Sequence, residues 1–325
     1  MQISVLDPLS RALNRMTSIL FKPFDFQKWL LLGFCSFLAA LGRDGVGGNI
    51  PSDSFSGRTS GAGKAAGNAL EWMSENIVLL ILLVLAFFLV IIAINLLLQW
   101  LGSRGEFMFL DGVVQDRGAV KQPWAEFRNH ANSFFLLKMA LIVISLIVFL
   151  SIFLLSFLIA LIDISRNEFG GFALLAVLLG ALLMIPCSII FALINMALHD
   201  FVAPIMYRRG LPAMDAVAVF RQEFLSITFW KIILFWVIKF VLAVACASTI
   251  MVLTCATCCV AGIPYISSVI FLPIAVFFRA YDLYFMEQFG PDWQFFIDDT
   301  PQPQARYQNP STETEAYKPG PFNNE

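Results

Sequence analysis

Charge is scarce in this chain of 325 residues: Asp, Glu, Lys and Arg make up 14% of it, and histidine occurs twice. An ordinary soluble domain carries about 25% charged residues. With 21 basic against 23 acidic residues the net charge is -2, which excludes the strongly basic surface of a nucleic-acid binder. A metal site at TCATCC would need two more convergent ligands, and both histidines, His130 and His199, are expected near the cytoplasmic side. The sequence holds no G-x-S-x-G, no H-E-x-x-H and no phosphate-cradling P-loop. Nothing in it nominates a catalytic constellation or a cofactor.

What it has in abundance is apolar surface. Hydrophobic residues make up 59%, phenylalanine alone contributes 33 positions, and the mean hydropathy is +0.78. Apolar runs long enough to cross a hydrocarbon core of ~30 Å, which takes ~20 helical residues, recur along the chain. The patterning predicts an all-α, polytopic bundle with spans near 27–42, 76–101, 134–162, 170–198, 229–252 and 257–279. The run beginning at Trp29 reads as a retained first helix, because no small-residue cleavage site follows it.

Basic residues orient these spans. Arg11, Arg15, Lys22 and Lys28 precede the first; Arg104, Arg117, Lys121 and Arg128 separate the second and third; Arg208, Arg209 and Arg221 separate the fourth and fifth. The facing loops carry fewer, namely Arg43, Arg58 and Lys64, then Arg166. The positive-inside rule then puts both termini in the cytoplasm. A membrane domain over 1–295 and a disordered tail over 296–325 follow from composition, since the tail has almost no aliphatic residues. The Gly- and Ser-rich stretch 43–75 reads as a flexible outer loop.

One unit recurs three times: an aromatic, basic entry segment, a helical hairpin, and a polar aromatic exit. The exits are RGEFMFLDGVVQDRG, HDFVAPIMYRRG and RAYDLYFMEQFG. All three units enter from the same side, which makes a parallel pseudo-repeat with helices lying in the cytoplasmic interface. The exits supply the candidate polar or lipid-contact residues: Arg104, Glu106, Asp111 and Arg117; Asp200, Arg208 and Arg209; Arg279 and Asp282. Convergence on one network of charge pairs is the structural reading; a phosphate or headgroup site built from arginines is the functional one.

Lys239 is the remaining candidate, an ammonium well inside an apolar run, where charge is expensive. It either snorkels to the inner surface or pairs with a carboxylate in a polar cavity. The cluster TCATCC offers Cys255, Cys258 and Cys259 for a disulfide if it faces an oxidising compartment; packing of a helix end is the alternative.

The stretch from Arg104 to Phe135, taken with HDFVAPIMYRRG, resembles a bacterial multi-pass membrane protein family over about 1–295. A fainter likeness, in helix count and hairpin style, is to the membrane domain fused to some glycerophosphodiester phosphodiesterases. The resemblance implies a bacterial inner-membrane protein and brings no activity, because the catalytic barrel of those fusions has no counterpart. Expected partners are membrane lipids, with a protein partner or a second copy compatible with the tail. The leading expectation is a non-enzymatic scaffold or accessory protein organising lipid or a membrane complex. The alternative is a transporter or channel, which requires a polar cavity reaching Asn95, Asn195 and Lys239.

Overall fold

Long apolar sequence makes long helices here, even across Pro186 inside Gly171–Ala197. The computed structural model describes residues 4–44, 77–165, 170–256 and 264–296. Helix α1 is Asp7–Phe21, α2 Phe26–Asp44, α3 Ile77–Val114, α4 Lys121–Glu126, α5 Arg128–Ser165 and α6 Gly171–Ala197. A π turn, Leu198–Val202, carries α6 into α7, Ala203–Arg209, which ends on Gly210 at φ 64°. Then come α8 (Ala213–Val219), a second π turn (Phe220–Leu225), α9 (Ser226–Ala256), α10 (Pro264–Ile270) and α11 (Leu272–Glu287).

Among the described residues, four stretches are long and apolar enough to cross a membrane: Ile77–Val114, Arg128–Asp163, Gly171–Arg209 and Thr228–Val252. They are longer than a bilayer requires. At 1.5 Å per residue the 38 residues of α3 reach ~57 Å, against a core of ~30 Å. The surplus has a distinct character. Most of the described large apolar side chains of 77–97, 142–162, 174–193 and 234–252 are exposed, as lipid-facing surface is, whereas Phe107, Met108, Leu110, Phe201, Ile205, Phe235 and Phe285 are fully buried. Each long helix is therefore an exposed apolar arm; those of α3 and α6 continue into a buried base.

The base is packed by aromatic rings. Phe201 lies against Phe220, Phe235 and Phe285, and Phe235 stacks on Phe285 at 4.3 Å and on Tyr281 at 5.0 Å. Such offset and edge contacts add about 0.5–1.5 kcal/mol each beyond area burial. The N-terminal segment closes this base: Tyr281 donates to the Val5 carbonyl at 3.0 Å, and Ser4 and Gln288 exchange two hydrogen bonds. The two described ends of the chain thus sit side by side.

Among the described residues, the spans expected near 76–101, 134–162, 170–198 and 229–252 fall on the four long apolar stretches, and those near 27–42 and 257–279 do not. α2 is a helix of 19 residues, and its partner on α3 is the glycine-bearing polar end rather than the apolar run. Gly42 meets Gly102, Leu38 and Ala39 meet Gly105, and Leu32 meets Gly112. The expected sixth span, 257–279, is divided between α10 and α11 by Phe271, ahead of Pro273, and its first part, 257–263, lies outside the described residues. So do most of the 43–75 loop and all but the first residue of the 296–325 tail. α2, whose apolar run is bounded by Gln27, Lys28 and Arg43, is not among the stretches apolar enough to cross a membrane.

Candidate functional site

Three exits meet in the base. Glu106 comes from α3, His199 and Asp200 from the π turn after α6, and Arg279 and Asp282 from α11, all at most 3% exposed. The π turn matters here: it re-registers the helix so that the adjacent His199 and Asp200 both point inward, one toward Glu106 and the other toward Lys239.

Lys239 of α9 does not snorkel. Its Nζ lies 2.7 Å from Asp200 Oδ1 and 2.6 Å from Asp282 Oδ1, one ammonium between two carboxylates. Beside this triad, the Arg279 guanidinium donates to Glu106 through Nη2 and to the His199 carbonyl through Nη1 at 2.9 Å. Glu106 also has His199 Nδ1 at 3.4 Å and Arg43 Nη2 at 3.7 Å. Lys138 of α5 donates to the Gly42 carbonyl and lies within Coulombic reach of His199. Charges buried this deeply survive when paired and hydrogen-bonded.

The remaining sequence candidates sit apart from this cluster. Asp111 takes two hydrogen bonds from Arg117, at 2.9 and 3.1 Å, and one from Tyr207 at 3.1 Å. The hydrogen bonds from Arg117 to Asp111 raise its guanidinium above its ordinary pKa. Arg104 is held between Trp100 and Trp124, with its Cζ 4.6 and 4.8 Å from the ring centroids. Arg208 and Arg209 lie on the surface, the latter clamped on Glu223 and over Trp293. Cys255 is an exposed free thiol; Cys258 and Cys259 lie outside the described residues.

A cavity of about 710 Å³ opens beside the Lys239 triad, between α2, α6, α9 and α11. Its floor is charged, with Arg43, Lys239, Arg279 and Asp282, and its walls are apolar, with Ala275, Phe278 and Met196 among them. The rim residues Leu193, Val237 and Phe240 are exposed, so the mouth is on the apolar flank of the bundle. The Trp236 indole N–H, which borders this cavity, is buried without a hydrogen-bond partner among the described residues.

Sequence reasoning missed Arg43 and His199. Arg43 follows an apolar run and precedes a glycine-rich stretch, which reads as loop; the continuation of α2 to Asp44 holds it against Glu106 instead. A lone histidine gives no pattern at all. Asn95, expected to line a polar path, donates to the Ile91 carbonyl of its own helix and borders none of these cavities.

The chain matches the model of a family of unknown function, DUF7544, over residues 3–272. It belongs to that family. No curated protein and no solved structure matches it. The comparisons bring no link to glycerophosphodiester phosphodiesterases.

Proposed function

We propose that this multi-pass membrane protein is a non-enzymatic lipid-organising protein that holds an anionic amphiphile drawn sideways from the bilayer. The carrying observation is the cavity whose mouth is apolar and whose floor presents Arg43, Lys239 and Arg279 against the single lining carboxylate of Asp282. An acyl chain suits such walls, and an acidic headgroup suits such a floor. A non-catalytic role is supported by the carboxylates of the cluster, which are engaged by Lys239 and Arg279 rather than set beside an open nucleophile. Transport is the second reading, favoured by one observation: Arg43 also borders a second cavity, so two cavities adjoin along one wall.

Filling the cavity tests the proposal. Ala275→Trp projects an indole into the walls, and we expect the purified variant to lose co-purifying anionic lipid at least tenfold in native mass spectrometry. Its melting temperature in detergent should stay within a few degrees of wild type. Unchanged lipid content in a folded variant would sink the reading.

The topology belongs to the same proposal. α2 with α3, α5 with α6, and α9 with α10–α11 make three hairpins in parallel repeat, six membrane-embedded segments of unequal length in a bacterial inner membrane. Both ends are cytoplasmic, supported by the basic entry segments and by the pairing of Ser4 with Gln288. In a cysteine-free background, Gly171→Cys should react with an impermeant thiol reagent on intact cells, whereas Ser4→Cys and Gln294→Cys should react after lysis. The opposite labelling pattern would invert the orientation.

A further inference from the structure

The second cavity, about 290 Å³, lies between α3, α5 and α6 and differs in kind from the first. Its polar lining is Arg43, Gln99, Lys138, Ser145 and Asn195. At ~30 Å³ per water it has room for roughly ten waters, the scale of a headgroup rather than a chain. Gln99 Oε1 is buried without a hydrogen-bond partner among the described residues, an acceptor waiting for a donor. Buried acceptors are satisfied in nearly all native sites, so this one asks for a hydroxyl or amine.

The ion pairing points to Arg43. Lys239 lies between Asp200 and Asp282, and Arg279 holds Glu106, so of the cations paired with these carboxylates Arg43 is the one held least closely. It is 45% exposed, and at 3.7 Å from Glu106 it is beyond hydrogen-bonding range. Arg43 also lines both cavities, so its guanidinium stands where a polar head would join an apolar tail.

We infer that the two cavities hold one molecule: a single-chain amphiphile with its phosphate on Arg43, its hydroxyl-bearing headgroup against Gln99 and Asn195, and its tail in the larger cavity. This rests on the binding reading above and names its ligand class. A fatty acid brings an anion without a donor for Gln99. A phosphocholine brings a quaternary ammonium, which has no donor for Gln99 and is repelled by Lys138 and Arg43. A polyol phosphate satisfies all of them, since guanidinium forks match phosphate oxygens and hydroxyls both donate and accept.

The experiment is a titration of the full chain, in nanodiscs of phosphatidylcholine, with four probes read by native mass spectrometry. They are lysophosphatidylglycerol, lysophosphatidylcholine, laurate and tail-free glycerol phosphate. We expect lysophosphatidylglycerol to bind at least tenfold tighter than each of the others. Arg43→Gln should weaken it tenfold or more, and Gln99→Leu should abolish its advantage over laurate while leaving laurate binding unchanged. Equal binding of the three amphiphiles, or variants that fold and bind like wild type, would overturn this inference while leaving the Ala275→Trp result standing. Glycerol phosphate binding as tightly as the lipid would overturn the two-cavity ligand. No amphiphile bound by wild type would remove the underlying reading as well.

Discussion

Arg279→Leu will destabilise the protein by about 3–5 kcal/mol, the range expected when one partner of a buried ion pair is removed and the other is left charged. The stranded group is Glu106, whose side chain is 1% exposed. Its remaining neighbours are His199 Nδ1 at 3.4 Å and Arg43 at 3.7 Å, neither at the distance of a strong charge-assisted bond. The His199 carbonyl also loses its donor. Removing both charges is a different experiment: Glu106→Leu with Arg279→Leu leaves no orphan ion, and most of the loss should be recovered, because apolar replacements of buried pairs are often neutral. The surface clamp of Arg209 on Glu223, with side chains 30% and 40% exposed, is the comparison; Arg209→Ala should cost about 1 kcal/mol or less. Chemical denaturation in detergent micelles measures all three variants. A loss at Arg279 no larger than at Arg209 would mean that Arg43 has swung in to replace it, and the Arg279→Leu, Arg43→Gln double variant would then lose far more than the sum.

Much of this cluster was legible in the sequence. The exits share acidic residues among aromatics, and that pattern led to expecting Glu106, Asp111, Asp200 and Asp282 in one network; Asp111 pairs apart from it, with Arg117. What pattern did not decide was the state of Lys239, because its depth depends on where α9 begins. The chain enters α9 through a π turn and a non-helical residue, Thr228 at φ -141° and ψ 35°, and helical periodicity does not carry across such a break. The first expected span departs for a related reason: α2 falls short of the four long stretches in apolarity, and its neighbour is the polar end of α3, a tertiary fact that no hydropathy window contains. Arg104 illustrates the converse: its company in sequence suggested the charged network, yet Trp100 and Trp124 claim it. Proximity along the chain groups residues by helix; which face each one presents is settled by packing.

Packing of α2 on α3 is also where the smallest chemical change should do the most damage. Gly102→Val will destabilise the protein by about 3 kcal/mol or more, the upper part of the range for overpacked sites. A side chain relieves a clash by changing rotamer, but here the obstacle is main chain. A Cβ on Gly102 would fall inside the van der Waals envelope of the Gly42 Cα and N, and a Cβ on Gly42 would lie 2.7 Å from the Gly102 Cα. Small residues let helices approach this closely, and adding bulk to either forces the axes apart. Even Gly102→Ala should be measurably destabilising. Gly171→Ala, where an added Cβ meets nothing within 4 Å, should be neutral or slightly stabilising. The damage will not stay local, because Gly42 accepts the Lys138 hydrogen bond and immediately precedes Arg43. Displacing α2 therefore moves Arg43 away from Glu106 and alters both cavities at once. We expect Gly102→Ala to lose anionic lipid in native mass spectra before it loses its fold. Wild-type lipid content together with a lowered melting temperature would show that the seam supports stability alone, and would uncouple Arg43 from the helix contact beside it.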